Sequence, residues 1–444
     1  MDMIGIIYIS ETLINKLGIP DQYAIRVRVG SLEVLSKLVV KNIKRKTFML
    51  SPELSRALLL KKRKPLKLRY DSANNSIHLG PTIGILASSI PHKSGYEATS
   101  TQAELIYLSK LSKTLNAQVY VFTPTSINWS NLTTRGYVYV TTGTEKGGWR
   151  SSTYPLPDVV YDRITTRTSE SKSKIKETKK RLMDLPHLRY FNPSFLNKWK
   201  VYETLIVNPR LRQHIPETRQ LTVSNFKDLL SKYKTVYVKP SNGSLGKGII
   251  RVSKENGGSG YLVYKAGRIK GHAESEEDFM NKTKKIRAGR PYIVQQGIDL
   301  ATYNKSAFDV RIIYQKNANG EWQISKKFVR VAPRGSTISN LSSGGRAVTV
   351  RKVFKVLYRK ADVIEQRNSQ LKELCKIVAE TLENKCNGIF GELGLDIGMD
   401  RNGVPWLIEV NSKPRKTTET ELSATIVRNT FRRPLEYGFY LAGF

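Results

Sequence analysis

The stretch of this chain that most constrains its fold is residues 391–411, Gly-Glu-Leu-Gly-Leu-Asp-Ile-Gly-Met-Asp-Arg-Asn-Gly-Val-Pro-Trp-Leu-Ile-Glu-Val-Asn. Two apolar runs flank Asp400-Arg401-Asn402-Gly403, a strong turn sequence, so the stretch reads as a β-hairpin. With Asp400 opposite Gly403 and no bulge in the ladder, Asp396 faces Leu407. Side chains alternate along a strand, so Asp396, Glu409 and Asn411 then share one face. Leu395, Ile397, Trp406, Ile408 and Val410 share the other, an apolar core surface. Two carboxylates on a half-buried face repel each other and are costly to desolvate. A divalent cation with oxygen ligands, Mg²⁺ or Mn²⁺, removes that cost. A bridging Lys or Arg is the alternative, in keeping with so basic a chain.

The basicity is extreme: 74 Lys and Arg against 37 Asp and Glu give a formal net charge of +37 over 444 residues. That predicts attraction to polyanions, or basic residues spread over solvated faces in an acidic setting. The aromatics that can be placed, such as Tyr120, Phe122 and Trp406, fall in apolar strand patterns rather than among basic clusters. DNA binding is therefore expected to be weak and sequence-independent, with another anionic surface or substrate as the real target. Hydrophobic residues make up 39%, enough for globular packing. Cys375 and Cys386 lie in a stretch that reads as helix, about 16 Å apart along its axis and too far for a disulfide. They read as core thiols of a reducing compartment. The opening Met1-Asp2-Met3-Ile4-Gly5-Ile6 lacks the pattern of a signal peptide, and no apolar run approaches a membrane span. A cytoplasmic protein, or one used on a structure assembled from the cytoplasm, is expected.

Length predicts two or three domains of mixed α/β class. Residues 1–80 read as a small β-rich module, with strands near 6–9, 23–30 and 66–70 and one short helix over 54–60. From Gly80-Pro81 the text changes to strand (82–87), helix (103–115) and strand (118–122), a βαβ unit closing on residues 155–163. Residues 166–187 are polar and basic and read as an exposed helix or linker. The chemistry gathers in 188–444.

There, the apolar strand Val236-Tyr237-Val238 delivers Lys239 to a Gly/Ser loop ahead of another strand, Ile249-Ile250-Arg251-Val252. Glycines let backbone N–H groups close on phosphate oxygens, and a lysine at the strand end adds a fixed positive charge. Because a strand follows, the loop is not a Walker A loop. The strand 292–296 leaves through polar residues that can offer backbone groups to an adenine edge. In 308–314, alternation sets Asp309 and Arg311 opposite Phe308, Val310 and Ile312. Such an Asp and Arg, two apart on a strand, usually form a surface ion pair.

Taken in order, these motifs resemble the ATP-grasp superfamily. More closely, the chain resembles the YheC/YheD family of endospore coat-associated proteins. Asn192-Pro193-Ser194-Phe195-Leu196-Asn197-Lys198-Trp199, the Lys239 loop and Glu409-Val410-Asn411-Ser412-Lys413-Pro414 carry that likeness. Gly80-Pro81-Thr82-Ile83-Gly84-Ile85 extends it towards the N-terminus. The resemblance implies a pre-ATP-grasp domain over 81–165 and a two-subdomain ATP-grasp domain over 188–444. It implies ATP held with Mg²⁺: Lys198 and Lys239 on the α/β-phosphates, and Ser241, Asn242, Gly243, Ser244, Gly246, Lys247 and Gly248 in a phosphate lid. Gln295, Gln296, Gly297 and Ile298 would line the adenine, and Asp396, Glu409 and Asn411 would hold the metal. Arg311 would face the transferred phosphoryl group, while Arg330 and Asn340 belong to a segment that closes over the acceptor. Many ATP-grasp hinges carry a glutamate where this chain has Gln295-Gln296; Asp299 is a substitute for the ribose contact.

Three functions are open on the sequence: an ATP-dependent carboxylate–amine (or thiol) ligase working through an acyl phosphate, a non-catalytic spore-coat structural protein, and a kinase for an acidic small molecule. The retained lysines, lid and carboxylates favour catalysis. The substrates are not legible.

Overall fold

The computed structural model describes residues 2–42, 45–61, 65–91, 96–141, 147–243, 246–264, 268–333, 345–386, 388–418 and 423–444. Ser244 and Asn340 lie outside them. Four sheets organise these residues, each with its own apolar core.

The first sheet, within residues 6–80, has six strands. Its strand Ala24–Val29 buries Ile25, Val27 and Val29 and leaves Arg26 exposed, as alternation requires. The second sheet places Thr82–Leu86 between Gln118–Phe122 and Val159–Asp162, all parallel. These three strands are buried along their whole length, which suits a parallel sheet covered on both faces. Helix Thr101–Ser112 packs Leu105 and Leu108 on one face, and helix Ser173–Met183 contributes Ile175 and Leu182 to the other.

The third sheet is antiparallel and buries Val236, Val238, Ile250 and Val252 under helices Val223–Lys232 and Glu276–Lys282. The fourth runs Arg346–Val348, Trp322–Val331, Ser306–Lys316, Glu392–Met399, Pro405–Asn411, and packs one face on the 25-residue helix Ala361–Lys385.

Several expectations change. The hairpin ladder does contain an irregularity: Asp396 pairs with Glu409, but Ile397 pairs with Leu407. The extra residue, Ile408, forms a bulge that reverses the alternation beyond it. Leu407 therefore joins Val410, placed there as expected, in the core, while Trp406 and Ile408 do not. Residues 166–187 are no mere linker, because helix Ser173–Met183 buries Lys179 as well as its apolar stripe. Strand Arg189–Phe191, beyond the boundary expected at 187, pairs with Val159–Asp162. The final helix, Ala424–Leu441, sends Val427, Phe431 and Leu435 into the same core as Ile83 and Leu105. Cys375 is buried inside the long helix, whereas Cys386 sits half-buried at its cap.

Candidate active site

Asn197 caps helix Lys198–Ile206: its Oδ1 accepts from the amides of Trp199 at 3.0 Å and Lys200 at 3.1 Å. Its Nδ2 donates to Asn242 Oδ1 at 2.9 Å, and the Lys198 amide donates to the Ser241 carbonyl at 2.9 Å. The helix start is thus tied to the loop after strand Thr235–Pro240. Lys198 Nζ reaches the Gly243 carbonyl at 3.2 Å and Glu409 Oε1 at 2.7 Å. Gly243 has no room for a Cβ, which would stand 2.4 Å from Pro240 Cγ. Gly246 and Gly248 have φ of 72° and 78°, a region that favours glycine. Lys247 is exposed.

Alternation on the strand puts Val236 and Val238 into the third core and aims Lys239 the other way. Lys239 is 8% exposed and donates to Gln295 Oε1 at 2.5 Å, while Gln295 Nε2 donates to Thr218 Oγ1 at 3.0 Å. No carboxylate among the described residues pairs with it. Burial, aided by the Lys198 charge and only partly opposed by Glu409, pushes Lys239 down to about 8. This buried cation destabilises the fold below pH about 8, and the penalty fades as pH rises towards the ordinary 10.5. An anion reaching Lys239 reverses the preference. ATP binding near pH 9 is therefore expected to take up close to one proton, and at pH 6.5 almost none. Calorimetry in buffers of differing ionisation heat measures this, and buffer-independent heats at pH 9 would move Lys239 away from the bound phosphates.

Lys198, Lys239 and Gln295 border one cleft, open to solvent, between the third and fourth sheets. Val201, Tyr202, Leu205, Ile215, Ile293, Leu407 and Ile408 wall it, with Glu409 at one side. None of these apolar residues stood out in the sequence as lining a cleft. The hinge is more occupied than expected: the Gln296 amide donates to the Glu217 carbonyl at 2.8 Å and the Gly297 amide to that of Thr235 at 2.9 Å. Gln296 Oε1 accepts from the Glu217 amide at 3.0 Å. Ile298 is half-buried, and its carbonyl accepts from the Leu300 amide at 3.0 Å. Asp299 forms an exposed ion pair with Arg401 at 2.9 Å, on the rim rather than in the cleft.

On the fourth sheet, Asp396 lies between Arg311 and Glu409 in the ladder, and Gly394 lies opposite Asn411. Asp396, Glu409 and Asn411 do share a face. Arg311 bonds one oxygen of Asp396, and Arg330 reaches the other at 2.9 Å. Arg330 also holds Asp309 through two hydrogen bonds, so Asp309 is the buried partner of Arg330 rather than a surface partner of Arg311. Burial pushes Asp396 up, but Arg311 and Arg330 prevail and hold it below the usual aspartate range. Burial likewise opposes the charge on Arg330, and Asp396 and Asp309 overcome it. A Cβ at Gly394 would lie 3.1 Å from an Arg311 nitrogen, so this glycine makes room for the guanidinium.

Asp396, Glu409 and Asn411 supply only oxygen donors, the type a small hard dication takes. The cluster is already balanced, with Asp309, Asp396 and Glu409 against Lys198, Arg311 and Arg330. A cation arriving alone would leave it positive, whereas one arriving on a polyphosphate brings negative charge for Lys198 and Lys239. The residues therefore fit a cation carried by a nucleotide.

Four residues along the same face from Asp396, Glu392 accepts from Arg163 at 2.8 Å, Tyr161 at 2.6 Å, Lys416 at 2.9 Å and Gln315 at 2.9 Å. Arg163 pairs in turn with Glu104 at 2.7 Å, and Asp162 with Lys179 and Lys413, each at 2.8 Å. Asn192 accepts from the Gly391 amide at 2.8 Å and donates to the Glu392 carbonyl at 2.7 Å. Buried charge thus locks the hairpin to the second sheet.

A family model described as YheC/D like ATP-grasp matches residues 187–441. The chain belongs to the YheC/D-like ATP-grasp family. It is 30% identical to endospore coat-associated protein YheD of Bacillus subtilis (strain 168), covering 99% of this chain and 96% of that protein. To endospore coat-associated protein YheC of the same organism it is 26% identical, over 81% of this chain and 96% of that one. D-alanyl-alanine synthetase A from Vibrio cholerae aligns with 82% of this chain and 97% of its own, at 15% identity and a TM-score of 0.44. By the family match, the fold is the mixed α/β ATP-grasp fold. Among the described residues, no helix is long and apolar enough to cross a membrane.

Proposed function

We propose that this protein is an ATP-dependent ligase that joins a carboxylate to an amine, or a thiol, through an acyl phosphate, and that it works in endospore coat formation. The observation that carries the proposal is Lys239, a buried cation with no anion among the described residues, in an apolar-walled cleft beside Lys198 and Glu409. Buried charges are normally paired, so a lone lysine there is a seat for phosphate.

In this reading Lys198 leaves Glu409 for the phosphates, joining Lys239. The Gly/Ser loop from Ser241 to beyond Gly243 covers them, and the apolar wall takes the adenine. Asp396, Glu409 and Asn411 hold Mg²⁺, which supplies charge neutralisation on the phosphates. Arg311 and Arg330 sit on the same face as these donors and orient the transferred phosphoryl group and the carboxylate that receives it. Phosphoryl transfer of this kind needs positioning and fixed charge rather than a protein nucleophile. The amine then displaces phosphate from the acyl phosphate. The large net positive charge would hold the protein against an anionic coat surface.

A non-catalytic coat protein is the second reading, and its support is the saturation of Asp396 by two guanidinium groups. Incubation with MgATP and a panel of carboxylates and amines separates them. ADP with a new amide is the expected outcome. A stable phosphorylated product without amine would mean a kinase, and no ADP with any pair would leave the structural reading.

A further inference from the structure

The face that carries Arg311, Arg330 and Asp396 continues past them. Arg330 lies opposite Asp309, Phe328 opposite Arg311 and Lys326 opposite Ile313. Opposed residues in a ladder share a face, so Lys326 is on the same side as Arg330. Lys327 points the other way and donates to Asn368 at 2.8 Å.

Lys326 is 9% exposed. Among the described residues its ammonium has no ion pair or hydrogen bond; it lies 5.2 Å from the centroid of the Phe328 ring. That sets it apart. Of the buried Lys and Arg side chains, Arg163, Lys179, Arg330, Lys413 and Lys416 all pair with carboxylates. Lys239 and Lys326 do not, and Lys239 already has a ligand in the nucleotide reading. Burial alone holds Lys326 below the usual lysine range, with no anion to offset it. Among the described residues, only the face of the Phe328 ring offsets the burial of this cation.

We propose that Lys326 anchors a second anionic group on the acceptor, so that the acceptor is a dicarboxylic acid. The proposal rests on the ligase reading for the word acceptor, but not for the anion site itself. The row of Lys326 and Ile313 lies two residues from the row of Phe328 and Arg311, about 7 Å along the strands. Phe328 and Ile313 stand between the cations, so the acceptor would carry its acidic groups at the ends of a short apolar chain. One carboxylate would meet Arg311 and Arg330 for activation, and the other would pair with Lys326.

The test titrates the full chain, with MgADP and without nucleotide, with glutarate and adipate against butyrate and hexanoate. Dicarboxylates are expected to bind at least about tenfold more tightly, the yield of one charge-assisted hydrogen bond. Lys326→Met should remove that preference, and Lys326→Arg should keep most of it. Relief of an unpaired buried charge should also raise the apparent Tm of Lys326→Met by about 2–4 °C. Equal affinity for mono- and dicarboxylates in the unaltered protein, or a preference that survives in Lys326→Met, overturns the proposal. So does a marked fall in Tm, which would mean the ammonium is already paired. Because no reading needs turnover, the result decides on Lys326 even if no ligation product ever forms.

Discussion

Glu409→Gln is expected to cut ATP turnover by about 100- to 1,000-fold while leaving the fold intact, the range seen when a fixed transition-state charge is removed. Glu409 is the partly exposed carboxylate of the pair, bonded to Lys198 at 2.7 Å, and such pairs contribute at most about 1 kcal/mol to stability. The same change should shrink the rise in Tm that MgATP produces through binding to the native state. ADP release and thermal unfolding with and without MgATP measure both. Normal Mg²⁺-dependent turnover in a folded Glu409→Gln protein would remove the metal assignment. Asp396→Asn is not an equivalent test. Its carboxylate offsets Arg311 and Arg330, so losing it should cost about 3–5 kcal/mol of stability as well as activity.

An equally large stability effect is expected at a residue outside the lining of the cleft. Arg163→Met strands Glu104 and Glu392, both buried, with Lys416 as their remaining cation. Breaking one partner out of a buried pair costs about 3–5 kcal/mol. At about 2–4 °C per kcal/mol, the apparent Tm should fall by roughly 10 °C. Adding Glu104→Gln to Arg163→Met should recover part of the loss, because the stranded charge goes with it. A single variant within about 1 kcal/mol of the parent would show that the network tolerates a missing cation.

The fold class was legible because its signals are local: turn chemistry at Asp400-Arg401-Asn402-Gly403, continuous apolar strands at 82–86 and 118–122, and a lysine ahead of a glycine loop. What was not legible depends on contacts distant in sequence. The bulge at Ile408 leaves no trace in composition, and without it Trp406 rather than Leu407 is read as core. Nothing in the sequence marks Lys413 and Lys416 as core residues, yet they are buried against carboxylates that come from three separate segments. Asp309 illustrates the same limit: its neighbour two residues away is Arg311, but its partner is Arg330 on the next strand. Lys326 was invisible for a different reason. A lysine's distinction there is the absence of a partner, which only three dimensions disclose.

The place of the last helix also bears on how the molecule is made. Ile83, Ile85 and Leu105 leave the ribosome early, but the surface that covers them includes Val427, Phe431 and Leu435. At about 5–20 residues per second, that cover follows tens of seconds later. Until then the nascent chain carries an open apolar face and the buried acids Glu104 and Asp162 without Lys416 and Lys413. A chain without helix Ala424–Leu441 therefore holds an unfinished second core.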